Sequence, residues 1–171
     1  MNEETISKAV EEVLGRMKIG QEVKTHQCTC KKYKMTLALA KSLIEKIEQK
    51  AEEMGLAVVI AVSDRSGRLT AVHCMDDAYI ASYDIAVNKT FTSASLKMST
   101  AELAKLSQPG QPLYGIQHTN GGKIVIFGGG EPLEMEGKII GALGVSGGTA
   151  EQDTLLAAYG KEIFKEVISC L

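Results

Sequence analysis

Tryptophan is absent from this 171-residue chain, and with only three phenylalanines and five tyrosines it has few platforms on which nucleobases could stack. A basic surplus is absent as well. Nineteen Lys and Arg face twenty-one Asp and Glu, for a net charge of −2, so nothing draws the protein generally toward a phosphate backbone. Nucleic acid is therefore not an expected partner. No apolar run approaches the ~20 residues that a membrane-spanning helix needs, so no membrane association is expected. The four cysteines, Cys28, Cys30, Cys74 and Cys170, are too few and too irregularly spaced for a disulfide framework and read as reduced thiols. The opening Asn2-Glu-Glu4 has neither the basic region nor the apolar core of a secretory signal. The expected location is the cytoplasm.

What is present is the composition of an ordinary globular protein, 44% hydrophobic and 23% charged, at a length suited to one domain with a short appendage. Residues 1–17 place Ile6, Val10, Val13, Leu14 and Met17 on one helical stripe, with Glu3 and Glu4 in the first turn. That pattern predicts an amphipathic helix. Residues 18–34 are polar and lysine-rich without periodicity and read as a linker. The main domain is expected over 35–171. His26, Cys28 and Cys30 in the linker are of metal-ligating type, but structural zinc sites use wider cysteine spacing and four ligands. Incidental thiols in a polar linker are the simpler account.

Within the main domain, Leu39, Leu43, Ile47, Ala51 and Met54 recur at helical spacing and stop at Gly55. The apolar run Leu56 to Val62 predicts a strand, turning at Asp64-Arg-Ser-Gly67 into a second strand over 68–74. Alternation puts Leu69, Ala71, His73 and Met75 on one face and Thr70, Val72 and Cys74 on the other. A helix is expected from about Asp77 to Lys97, with small residues Ala78, Ala81, Ala86, Ser93 and Ala94 permitting close packing. Ser99-Thr-Ala-Glu102 is a capping box, and Ser107 to Asn120 reads as a long loop. Three further strands are expected at Lys123–Phe127, Pro132–Met135 and Lys138–Val145, then a helix from Thr149 to about Ile168 with Leu156, Tyr159, Ile163 and Val167 inward. Hairpins where a parallel sheet would need crossovers predict an α/β (α+β) fold, a five-stranded antiparallel sheet covered by helices.

Gly144-Val-Ser146-Gly-Gly148 matches the G-x-S-x-G nucleophile elbow and lies between an expected strand and an expected helix. A hydrolase of that kind needs its histidine after the serine in the chain. His26, His73 and His118 all precede Ser146. The alternative is that the glycines allow close backbone approach while Thr149 caps a helix with Gln152. No catalytic residue is assigned.

From Leu56 to Asp153 the chain resembles the haem-binding GlcG/HbpS family, which includes the C-terminal domain of the microcompartment protein PduO. The residues carrying the resemblance are Val62-Ser-Asp64-Arg-Ser-Gly67, Met75-Asp-Asp-Ala78, Asn88-Lys89-Thr90, and the block Phe127-Gly-Gly-Gly-Glu-Pro-Leu133 through Ile140 to Thr149 and Glu151-Gln-Asp153. The family usually has Arg where this chain has Cys74. The resemblance implies a profilin-like or PAS-like domain, haem as cofactor, and a homo-oligomer, commonly an octamer. Residues 1–17 are similar to the encapsulation peptides that deliver cargo into bacterial microcompartments, implying shell or cargo proteins as partners and the compartment lumen as location. An extra helix packed on the parent domain or a neighbouring subunit is the alternative.

A haem site needs an axial donor, an apolar slot and groups for the propionates. His118 and His73 are the candidate iron ligands, Lys89 a candidate propionate partner, and the helix start Gly147-Gly148-Thr149 a candidate anion site. Lys89 could equally extend to solvent, and the helix start could be only a cap. The sequence thus predicts a haem- or tetrapyrrole-binding microcompartment cargo supporting cofactor or redox maintenance, with binding favoured over enzymatic activity. Corrinoid reduction or adenosylation and a structural or sensory oligomer without cofactor remain the alternatives.

Overall fold

A computed structural model describes residues 34–169. The expected helix at 1–17 and the linker with His26, Cys28 and Cys30 lie outside the described residues, Lys34 excepted. Helix α1 (Leu37–Glu53) begins at Thr36, whose Oγ1 accepts the Leu39 N–H at 3.1 Å, as a helix N-cap should. It ends where Gly55 takes φ +68° and the Leu56 N–H donates to Ala51 O at 2.9 Å, the left-handed glycine stop. Leu39, Leu43, Ile47 and Ala51 are buried along its inner stripe.

Strands β1 (Val59–Asp64) and β2 (Leu69–Cys74) form the expected hairpin. Asp64 ties its turn: Oδ1 accepts the N–H groups of Ser66 at 2.8 Å and Arg68 at 3.1 Å, and Arg68 Nε stands 3.3 Å from Oδ2. Partial burial raises the Asp64 pKa, but these donors and the guanidinium outweigh it and hold the carboxyl below the usual aspartate range. Strands β3 (Gly130–Met135) and β4 (Lys138–Ser146) form a second hairpin. Glu136 and Gly137 both take positive φ there, as a two-residue hairpin turn of matching twist requires.

Among the described residues the sheet has four strands in the order β2-β1-β4-β3, each neighbouring pair antiparallel. The expected fifth strand at Lys123–Phe127 is not part of the sheet. Ile124 and Val125 are buried, but the Val125 N–H donates to Thr92 Oγ1 at 3.0 Å, and that hydroxyl donates to Asn88 O at 2.7 Å. A side chain on helix α2 (Ser82–Leu96) thus takes the bond a neighbouring strand would have taken. Pro132, which has no N–H to give, sits on the outermost strand β3, where that deficit is tolerated.

Helix α2 also starts later than its composition predicts. Asp77 is left-handed at φ +64°, and the Ala78 N–H closes a turn onto Met75 O at 3.2 Å, so the chain turns before the helix can begin. A short helix α3 (Thr100–Leu106) follows, with Ser99 Oγ accepting the Glu102 N–H at 3.0 Å. The last helix, α4 (Ala150–Ser169), opens with a reciprocal capping box in which the Thr149 N–H donates to Gln152 Oε1 and the Gln152 N–H donates to Thr149 Oγ1.

The two sheet faces are covered unequally. One carries the main core, where Leu43, Ile44 and Ile47 of α1 and Leu156, Ile163, Phe164 and Val167 of α4 meet Ile60, Val62, Leu143 and Val145. The other is a thin layer in which Val59 and Ala61 meet Ala86 of α2, with Val72, Ala78 and Val87 partly buried around them. Close approach of α2 depends on Gly144, since a Cβ there would strike the Ala86 carbonyl.

Candidate functional site

Most of the motif residues converge where α2 crosses the end of β4. Lys89 is 0% exposed. Its Nζ lies 2.7 Å from Val145 O, 2.7 Å from Asp153 Oδ2 and 4.9 Å from the Phe127 ring centroid. An ammonium has three N–H donors, and here a carbonyl, a carboxylate and an aromatic face take them. Burial pulls the Lys89 pKa below the usual lysine range, and the Asp153 carboxylate works against that pull. The outward, solvent-reaching lysine that its helical position allowed is not what the fold contains.

Three consecutive glycines make room for this pair. A Cβ on Gly129, at φ +110°, would stand 2.6 Å from both Lys89 Nζ and Val145 O, and one on Gly130 would stand 2.7 Å from Thr100 Cγ2. A Cβ on Gly128 would run into Thr154 Oγ1. The Gly130 N–H is held by Thr100 Oγ1 at 2.8 Å. The run Phe127-Gly-Gly-Gly130 is thus a socket for a buried charge.

The other oxygen of Asp153 accepts the Gly148 N–H at 2.9 Å. With the Thr149 N–H bonded to Gln152, the helix-start donors of Gly148 and Thr149 already have internal acceptors. Gly147, half-buried, lies where a Cβ would strike the Ala57 carbonyl. The structure therefore joins Lys89 to the Gly147–Thr149 segment through Asp153. The mutual dependence of Lys89, Asp153 and Phe127 was not legible locally, because the lysine and its carboxylate are 64 residues apart.

Ser146 is 4% exposed, and its Oγ meets Ser82 Oγ at 3.3 Å. No imidazole bonds it among the described residues. The elbow motif accordingly serves packing between β4 and α2.

The two histidines of the domain lie apart from the lysine socket. His118 is exposed in a 3-10 turn (Ile116–His118) within the long loop, and its Nε2 is 3.4 Å from Gln117 Nε2; the amide donates and the ring nitrogen accepts. His73 is on β2 with its side chain toward α1, on the face opposite α2, and its Nδ1 is 2.9 Å from Glu48 Oε1. Both partners are partly exposed, His73 by 34% and Glu48 by 25%. Glu48 was not singled out from the sequence; a helix-surface glutamate 25 residues upstream carries no local signal of it. Lys89 and the Gly148 and Thr149 N–H groups are engaged internally, so the imidazoles are the sequence-selected groups that keep an unoccupied ring nitrogen. Among the described residues no group of three or more His, Cys, Asp or Glu could hold a metal ion.

Comparison with known proteins adds a family. Residues 35–162 match the family described as haem degrading protein HbpS-like. An uncharacterized 15.0 kDa protein from the dhaT-dhaS intergenic region of Citrobacter freundii is 47% identical over 133 residues, covering 78% of this chain and 94% of that protein. The corrinoid adenosyltransferase PduO of Citrobacter freundii is 43% identical over 108 residues, 63% of this chain but 32% of that enzyme. Among solved structures, Klebsiella pneumoniae ORFY superposes with a TM-score of 0.75 at 46% identity, covering 77% of this chain and 90% of its own. A PduOC:heme complex superposes with a TM-score of 0.72 at 34% identity, covering 75% of this chain and 94% of its own.

Proposed function

The chain belongs to the HbpS-like family, and from that premise we propose that it is a haem-binding protein. The observation that carries the proposal is the likeness to a domain solved with haem, at 34% identity over 75% of the chain. The chain's own contribution is an imidazole. His73 and His118 are the candidate iron donors in the described domain, and haem iron takes imidazole readily. Lys89 and the Gly147–Thr149 segment are then second to the histidines: a propionate could reach Lys89 only by displacing Asp153. When bound, haem would supply a redox-active, Lewis-acidic iron. Titration of ferric haem into the full chain tests the proposal. A saturable Soret band with one haem per chain is expected; its absence would refute haem binding. Following the same spectrum under reductant and oxygen distinguishes a carrier, whose band persists, from a haem-degrading activity, whose band decays.

We also infer that the protein assembles as a homo-oligomer, octameric by analogy with the family, and serves as cytoplasmic microcompartment cargo. Support for the latter is the stripe Ile6, Val10, Val13, Leu14 and Met17, together with the likeness to PduO. Deleting residues 1–20 should leave haem binding and oligomeric mass intact while abolishing enclosure in shells. A deletion that lowers the melting temperature or changes the oligomer would instead make that segment part of the fold.

A further inference from the structure

We infer that His73 is the imidazole donor to the haem iron and that Glu48 positions it; this rests on the haem-binding proposal. The two residues come from different elements, β2 and α1, and meet at 2.9 Å through Nδ1 and Oε1. An imidazole whose Nδ1–H is held by a carboxylate is fixed as one tautomer, with the Nε2 lone pair free to ligate. No hydrogen bond among the described residues engages that Nε2. A carboxylate behind a ligating imidazole also strengthens its donation to the metal, which stabilises ferric over ferrous iron.

The surroundings of His73 fit a tetrapyrrole better than those of His118. On the same face, Ala71 of β2 and Met75 just beyond its end flank His73, both partly buried and packed against the main core. A partly covered apolar strip thus flanks the ring. Strand β2 is also outermost in the sheet, so among the described residues no further strand closes the approach from that side. His118, by contrast, lends its Nε2 to Gln117 in an exposed turn, with no carboxylate among the described residues in hydrogen bond to it. An oriented donor, an apolar flank and lateral access coincide at His73.

The test uses the full chain titrated with ferric haem, reading affinity, Soret position and the Fe(III)/Fe(II) midpoint potential. His73→Ala should remove the imidazole signature and weaken binding at least tenfold. Glu48→Gln should still bind, but about tenfold more weakly, as loss of a carboxylate behind a ligating histidine typically costs, and its midpoint should move positive. Glu48→Asp should recover part of both changes. His118→Ala should match the wild type throughout. In His73→Gly, added free imidazole should restore the wild-type spectrum, a readout that a merely structural histidine would not give. The inference is overturned if wild-type protein binds haem and His73→Ala binds it unchanged, or if Glu48→Gln keeps the wild-type potential and affinity; the haem proposal would survive either result. Wild-type protein that binds no haem would overturn both.

Discussion

Replacing Asp153 by Asn tests whether the buried Lys89 socket holds the domain together. In the native protein one carboxylate oxygen accepts from Lys89 at 2.7 Å and the other from the Gly148 N–H at 2.9 Å. Asparagine has one acceptor oxygen, so it can serve the lysine or the glycine but not both; its NH2 then faces another donor. If the oxygen stays with Gly148, the ammonium keeps only Val145 O and the Phe127 ring. Breaking one partner of a buried ion pair costs about 3–5 kcal/mol, because the remaining charge stays desolvated. At about 2–4 °C per kcal/mol for a chain of this size, the melting temperature should fall by roughly 6–20 °C. Differential scanning calorimetry at neutral pH measures it. Lys89→Met should be costly for the mirror reason, while the combination Lys89→Met, Asp153→Asn should be less destabilised than the sum of the singles, since no stranded charge is left. A melting temperature for Asp153→Asn within about 2 °C of wild type, or strict additivity in the double variant, would refute this account.

Gly129→Ala should be worse tolerated than a typical surface change: the new Cβ meets a backbone carbonyl and the Lys89 ammonium at 2.6 Å, at a φ that L-residues avoid, for about 1–3 kcal/mol of overpacking plus about 1–2 of backbone strain. A soluble variant melting like wild type would show that the socket has slack. Asp64 gives an acid dependence: its folded pKa lies below the unfolded one, so its contribution is complete above the unfolded value of 3.8 and is lost as pH falls through the folded pKa. Asp64→Asn should therefore flatten the acid limb of a stability-versus-pH curve, and an unchanged limb would contradict the assignment. Ser146→Ala should lose about 1 kcal/mol for its buried contact with Ser82 and no esterase activity; ester hydrolysis abolished by this change would restore the nucleophile reading.

Caps and hairpin turns whose bonding partners are close in sequence were legible. Ser99 with Glu102 and Thr149 with Gln152 form the caps their spacing predicts, and Asp64 and Gly67 build the expected turn. The alternation along β2 holds for Ala71 and Met75 against the main core and Val72 against the thin layer, but a register shift pairs Leu69 with Ser63 and turns it to the face opposite Ala71. Two failures are local, the Met75–Ala78 turn that delays α2 and the register shift at Leu69; the others are those of distance. Lys123–Phe127 has strand-like composition, but its fate is set by Thr92, more than thirty residues earlier. Lys89 sits on a helix where solvent is the default for lysine, and only Asp153 and the triglycine reverse that default. At the candidate site the histidines were visible by type, whereas Glu48, which distinguishes one from the other, became visible only when α1 packed across β2.

The reach of the Lys89–Asp153 bridge has a kinetic consequence. Its charges cannot be enclosed until β4 has joined the sheet and α4 has docked, because the pair spans 64 residues and three separate elements contribute to it. Until then both ions stay hydrated, and nothing is gained from their meeting early. The bridge should thus act as a latch that closes last on folding, absent from the folding transition state and therefore broken on the climb to the barrier when the protein unfolds. Substitutions in it would accelerate unfolding far more than they slow refolding; a chevron in which Asp153→Asn shifts the refolding arm instead would show that the two ends find each other early. A native state with this latch resists transient opening at the junction of α2, β4 and α4, while the β2 edge carrying His73 stays outside its hold.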